Sequence, residues 1–125
     1  MGCGNSSPTN WPPQSYITIE KFLEEYDSYD PQNPYFIILD VRLPESVALT
    51  KFMSEGRKGI KVPVIEIPEK KVFSRMGELP KDKMIYVIST TPYSAREPAH
   101  RLLRNGYNAR YIQGDADSPE FRQRS

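Results

Sequence analysis

The sequence predicts an α/β domain: a central parallel sheet flanked by helices on both faces. Three observations point there. Two apolar runs, Phe36–Val41 and Met84–Ile88, lack polar alternation, the pattern of strands buried on both sides. Segments with apolar residues at helical spacing lie around and between them, so helices and strands alternate along the chain. The length of 125 residues suits one domain, enough to bury roughly two-thirds of the unfolded surface.

Taken in order, residues 1–15 are mostly Gly, Ser, Asn and Pro with one tryptophan, Trp11, and read as a flexible leader closed by Pro12-Pro13. Thr18 is the N-cap of a helix with Ile19, Phe22, Leu23 and Tyr26 on one face. Asp30-Pro31-Gln32-Asn33-Pro34 breaks it before the first strand, Phe36–Val41. A helix over Glu45–Glu55 would bury Val47, Leu49, Phe52 and Met53, and Val62–Ile67 is a second short strand. Glu69–Met76 reads as a short helix carrying Val72, Phe73 and Met76, ended by Gly77. Met84–Ile88 is the third strand. Pro98–Asn105 is a helix presenting Ala99, Leu102 and Leu103, stopped by Gly106, and Ala109–Ile112 is the last strand. The domain thus occupies 16–116, with a loose polar tail at 117–125.

Composition narrows the chemistry. A net charge of +1 gives no reason to expect nucleic acid. Cys3 is the only cysteine, which excludes an internal disulfide and any multi-thiolate metal site. His100 is the only histidine, so no His-rich metal cluster is expected, and no cofactor is implied. No run approaches the ~18 apolar residues of a membrane span.

The start of the chain, Met1-Gly2-Cys3-Gly4-Asn5-Ser6, matches the pattern for N-myristoylation at Gly2 with reversible palmitoylation at Cys3. Myristate alone gives an association constant of only ~10⁴ M⁻¹. No Lys or Arg precedes Lys21, so a stable anchor depends on Cys3. The expectation is a chain held through acyl chains on the cytosolic face of a eukaryotic membrane, and otherwise cytoplasmic. Trp11 either enters the lipid interface or packs back on the domain.

Ligands of parallel sheets bind beyond the carboxyl ends of the strands, which directs attention to Ser89-Thr90-Thr91-Pro92-Tyr93-Ser94-Ala95-Arg96, read as a loop. The features around it resemble the rhodanese-like (sulfurtransferase) domain. Asp40-Val41-Arg42-Leu43-Pro44-Glu45 is similar to the first signature of that family, and Gly59–Pro68, ending Ile67-Pro68, to the second. Leu79-Pro80-Lys81-Asp82-Lys83 is similar to its lead-in to the active loop. Leu102, Gly106-Tyr107 and Tyr111-Ile112-Gln113-Gly114 are similar to its closing helix and strand. The resemblance covers Tyr16–Ala116.

It implies that the sulfur-accepting cysteine, directly after the third strand, falls on Ser89. The loop arginine falls on Ser94, the loop glycine on Pro92, and the Gly-His start of the second signature becomes Gly59-Ile60. Sulfur transfer needs a thiolate able to hold a persulfide, stabilised by backbone N–H groups at a helix start. A serine hydroxyl cannot form one, and it acts as a nucleophile only beside a base. His100, eleven residues on and in the next helix, is badly placed for that. Asp40 and Arg42 are expected to tie loops together. Arg96, Arg101, Arg104 and Arg110 read as a solvated basic face, although Arg96 with Ser89 and Ser94 could frame an anion. The Cys-x5-Arg loop of the family's phosphatase relatives is one residue shorter than Ser89–Arg96. Tyr16, Tyr26, Tyr29 and Tyr35 read as packing residues. The expectation is a non-catalytic, membrane-tethered module that binds an unidentified protein. The alternative is an atypical sulfurtransferase or phosphatase-like enzyme using Ser89–Arg96.

Overall fold

In the computed structural model the described residues are 15–43 and 62–115. Gly2, Cys3 and Trp11, the Glu45–Glu55 helix and the 117–125 tail lie outside them. The elements are β1 (Tyr16–Thr18), α1 (Ile19–Asp27), β2 (Phe36–Asp40), β3 (Val64–Glu66), two 3-10 turns (Glu69–Lys71 and Met76–Glu78), β4 (Met84–Ser89), α2 (Pro92–Arg104) and β5 (Asn108–Asp115). The five strands form one sheet in the order β1-β5-β4-β2-β3, and every pairing is parallel.

β2 and β4 occupy the middle because their side chains are apolar on both sides. Alternation sends Phe36, Ile38, Tyr86 and Ile88 to one face, where they meet Phe22, Leu23 and Tyr26 of α1. Ile37, Leu39, Ile85 and Val87 go to the other, against Ala95, Ala99 and Leu102 of α2. Each face thus has its own core. On the α1 side, Phe22 and Phe36 meet the Tyr86 ring edge-on at 5.4 and 5.1 Å. Burying one such ring contributes roughly 1.5–3 kcal/mol.

Local chemistry sets the helix ends. The Thr18 hydroxyl accepts from the Lys21 amide at 3.2 Å and caps α1. α2 ends in a Schellman motif: Tyr107 N–H donates to Leu102 O at 3.0 Å and Gly106 N–H to Leu103 O at 3.2 Å. Gly106 lies at φ 87°, where a side chain would be strained.

Three elements differ from the sequence expectation. α2 begins at Pro92 rather than Pro98, because Thr91 caps it and Pro92 takes its first position, leaving Pro98 inside the helix. The stretch expected as a helix over 69–76 is two 3-10 turns, and Phe73 is 63% exposed rather than packed. β1 is an additional edge strand, three residues long. Ser15, placed in the leader from sequence, is buried, and its carbonyl accepts from the Tyr111 amide at 2.9 Å.

Candidate functional site

The parallel strands end together at Asp40, Glu66 and Ser89, which defines the edge where a ligand would bind. Ser89 is the last residue of β4 and is 4% exposed. Strand alternation puts it on the α2 side with Ile85 and Val87.

The segment expected as a loop is short. Only Thr90 and Thr91 separate β4 from α2, and Pro92, Tyr93, Ser94, Ala95 and Arg96 form the first turns of the helix. Thr91 is extended (φ −132°, ψ 154°), and its hydroxyl accepts from the Ser94 amide at 3.2 Å. The Thr91 and Ser94 hydroxyls also lie 3.1 Å apart. A helix start attracts anions through backbone N–H groups without intrahelical partners. Here the first position is proline, with no N–H, and the third amide is bound by Thr91. Arg96 lies in the second turn, exposed, with its guanidinium over the Tyr93 ring at 5.2 Å. Ser89, Ser94 and Arg96, expected to frame an anion, are thus engaged with burial, Thr91 and Tyr93 respectively.

Asp40 and Arg42 form a buried pair beside Ser89's strand, with side chains 2% and 1% exposed. Arg42 Nε donates to both carboxylate oxygens at 2.8 and 2.9 Å, and the Arg42 amide donates to Oδ1 at 3.0 Å. The Asp40 carbonyl also accepts from the Ile67 amide at 3.0 Å. The pair therefore pins the chain leaving β2 and braces the turn after β3.

His100 sits on α2 about 12 Å along the helix axis from Pro92, at 1.5 Å per residue. Its ring meets the Tyr111 ring edge-on at 6.2 Å. Burial, then the Arg96 charge, holds its pKa below the ordinary histidine value. Of the tyrosines near α1, Tyr26 and Tyr29 are buried, Tyr16 is half-buried and Tyr35 is exposed, its hydroxyl donating to Glu25. Burial, then the Glu25 carboxylate, pushes Tyr86 up to about 12.

Sequence reasoning missed two features: the Thr91 cap and a groove of about 370 Å3 lined by Pro92, Tyr93, Arg96, Tyr111 and Gln113. The Thr91-Pro92 pair signals the first, as N-cap followed by proline. The second joins α2 to β5 and has no signature in local sequence. Among the described residues, no cluster of three or more His, Cys, Asp or Glu side chains could hold a metal ion. Among them, too, no helix is long and apolar enough to cross a membrane.

No protein-family model matches the sequence, and no curated protein matches it. Solved structures do resemble it. A rhodanese-related protein from Thermoplasma volcanium superposes with a TM-score of 0.62 at 19% identity, covering 82% of this chain and 87% of that one. A rhodanese-like domain protein from Staphylococcus aureus superposes with a TM-score of 0.60 at 18% identity, over 81% and 86%. The Staphylococcus saprophyticus protein SSP1007 gives 0.62 at 23% identity, over 82% and 90%. The architecture is α/β, and the chain has the rhodanese-like fold.

Proposed function

We propose that this chain is a non-catalytic rhodanese-like module, held on the cytosolic face of a membrane by acylation at Gly2 and Cys3, that binds a protein partner. One observation carries the non-catalytic reading: Ser89 ends β4, in front of a helix start where Pro92 lacks an N–H and the Ser94 amide is bonded to Thr91. A serine there holds no persulfide, and the amides that would steady an anion are fewer. Leu43 and Tyr93, 60% and 76% exposed, follow β2 and β4 at the carboxyl edge and offer apolar side chains for a protein contact. The anchoring reading rests on the sequence at Gly2 and Cys3.

The test is an assay of the purified full chain with thiosulfate as donor and cyanide as acceptor. The expected result is no thiocyanate above background, and turnover overturns the reading. Intact mass of the protein from its native cell tests the anchor. Addition of a C14 and a C16 acyl chain is expected, and an unmodified amine at residue 2 overturns it.

A further inference from the structure

The outer surface of α2 and of the 3-10 turns beside it is a basic face. Val72 and Met76 from the turn region and Ala95, Ala99 and Leu102 of α2 pack on the same side of the sheet. The segments 69–78 and 92–104 that carry them hold six Lys or Arg against three Glu. On the opposite side, α1 and the turn after it, 19–35, hold one Lys against five Asp or Glu. Arg110 of β5 alternates to that side with Ile112 and does not reverse its sign. Among the described residues, the two faces of the sheet are thus oppositely charged.

The centre of the basic face is apolar. Phe73 is 63% exposed, with the Arg101 guanidinium over its ring at 5.4 Å. Lys70, Phe73 and Arg101 share one shallow pocket of about 200 Å3. Glu97 is a single carboxylate between two guanidinia, Arg101 at 3.8 Å and Arg104 at 3.3 Å. Lys70 and Lys71 are exposed. An exposed ring among clustered cations matches the headgroup region of an anionic leaflet, which offers phosphates to the cations and an apolar boundary to the ring. A soluble anion would make no use of the ring.

We propose that this face lies on an anionic membrane, with Phe73 entering the headgroup boundary and Lys70, Lys71, Arg101 and Arg104 meeting lipid phosphates. The choice of a lipid surface rests on the proposed tether: one acyl chain binds only marginally, and a basic patch is a second signal that makes such binding stable. The acidic α1 face is repelled by the same surface, so the field also fixes which way the domain lies. The carboxyl edge, at the side of the sheet, stays open to a protein partner.

The test uses the unacylated full chain, so its outcome does not depend on whether Gly2 and Cys3 are modified. Co-sedimentation with vesicles measures partitioning. Partitioning onto phosphatidylcholine–phosphatidylserine vesicles should exceed that onto phosphatidylcholine alone by about ten-fold or more. It should disappear in about 1 M salt, where the screening length is ~3 Å. Lys70→Ala with Lys71→Ala should lower it about thirty-fold, about five-fold for each cation. Phe73→Ala should lower it about ten-fold. Lys21→Ala, on the acidic face, should leave it unchanged, and all four residues are exposed, so none of these changes threatens folding. Four results overturn the proposal: no preference for the phosphatidylserine vesicles; a loss in Lys21→Ala as large as in the Lys70 and Lys71 variant; partitioning unchanged in the Lys70, Lys71 and Phe73 variants; and self-association without vesicles that Lys70→Ala with Lys71→Ala abolishes, which assigns the basic face to the acidic face of a second copy.

Discussion

Replacing Asp40 by alanine tests the buried pair at the carboxyl edge. In the native chain Arg42 donates to Asp40 through Nε, Nη2 and its own amide, and both side chains are at most 2% exposed. Asp40→Ala removes every one of those acceptors and leaves a guanidinium that cannot lose its proton to become neutral. Removing one member of a buried pair costs about 3–5 kcal/mol. Domains of this kind are stable by only about 5–15 kcal/mol, so from about a fifth to most of the total is at stake. With a urea slope of about 1–3 kcal/mol/M, the unfolding midpoint should fall by roughly 2 M. Asp40→Ala with Arg42→Met removes the buried charge along with its lost acceptors, and most of the loss should return. Arg42→Ala should cost less than Asp40→Ala, since a carboxyl, unlike a guanidinium, can take up a proton. Urea unfolding followed by circular dichroism reads all four proteins. A loss below ~1 kcal/mol in Asp40→Ala, or no recovery in the double variant, would refute the reasoning.

Three further perturbations isolate other parts of the molecule. A Cβ on Gly114 would meet Ile19 Cδ1 at 2.1 Å and Cγ1 at 2.2 Å, so Gly114→Ala should cost about 1–3 kcal/mol in urea unfolding and be largely rescued by Ile19→Ala. Thr91→Ala removes the α2 cap and should cost about 1 kcal/mol, while Thr91→Asp, another good cap, should remain within a few tenths. The folded-state pKa of His100 is depressed, so below its unfolded value near 6.5 the unfolded chain binds the extra proton. Its contribution to stability is therefore present above pH 6.5 and declines as pH falls from there towards the lower folded value. Subtracting the thermal-melt pH profile of His100→Gln from that of the native chain should expose this slope, and parallel profiles would contradict it.

The sheet was largely legible because its central strands carry a signal that tertiary context does not reverse. Phe36–Leu39 and Ile85–Ile88 are apolar without interruption, and two-sided burial is the only environment that accommodates this. The α1 cap at Thr18 and the α2 stop at Gly106 were legible because each depends on one residue's local chemistry. The start of α2 was misread because two prolines compete for its first position, and Pro98 stands closer to the apolar stripe. The winning signal was the hydroxyl of Thr91 before Pro92, which bonds the Ser94 amide. β1 escaped because three edge residues are too few for periodicity, and their place is set by pairing with Tyr111–Gln113, far away in sequence. The candidate groove was illegible for the same reason: Tyr93 and Tyr111 are eighteen residues apart and meet only because α2 packs on β5.

On the proposed non-catalytic reading, a cysteine at residue 89 would not by itself restore a sulfur carrier. A low-pKa thiol needs amide donors or cationic charge aimed at it. Here residue 89 is 4% exposed, Pro92 supplies no N–H, and the Ser94 amide is already bonded to Thr91. Burial with fewer such donors disfavours a thiolate. A chain carrying Ser89→Cys, with Cys3→Ser so that the new thiol is alone, should therefore alkylate with iodoacetamide along a pH profile centred at or above the ordinary value of about 8.5. It should form no thiocyanate from thiosulfate and cyanide. A profile centred below ~7 would show that the loop still stabilises an anion, and that the loss of cysteine alone accounts for any lack of sulfur-transfer activity.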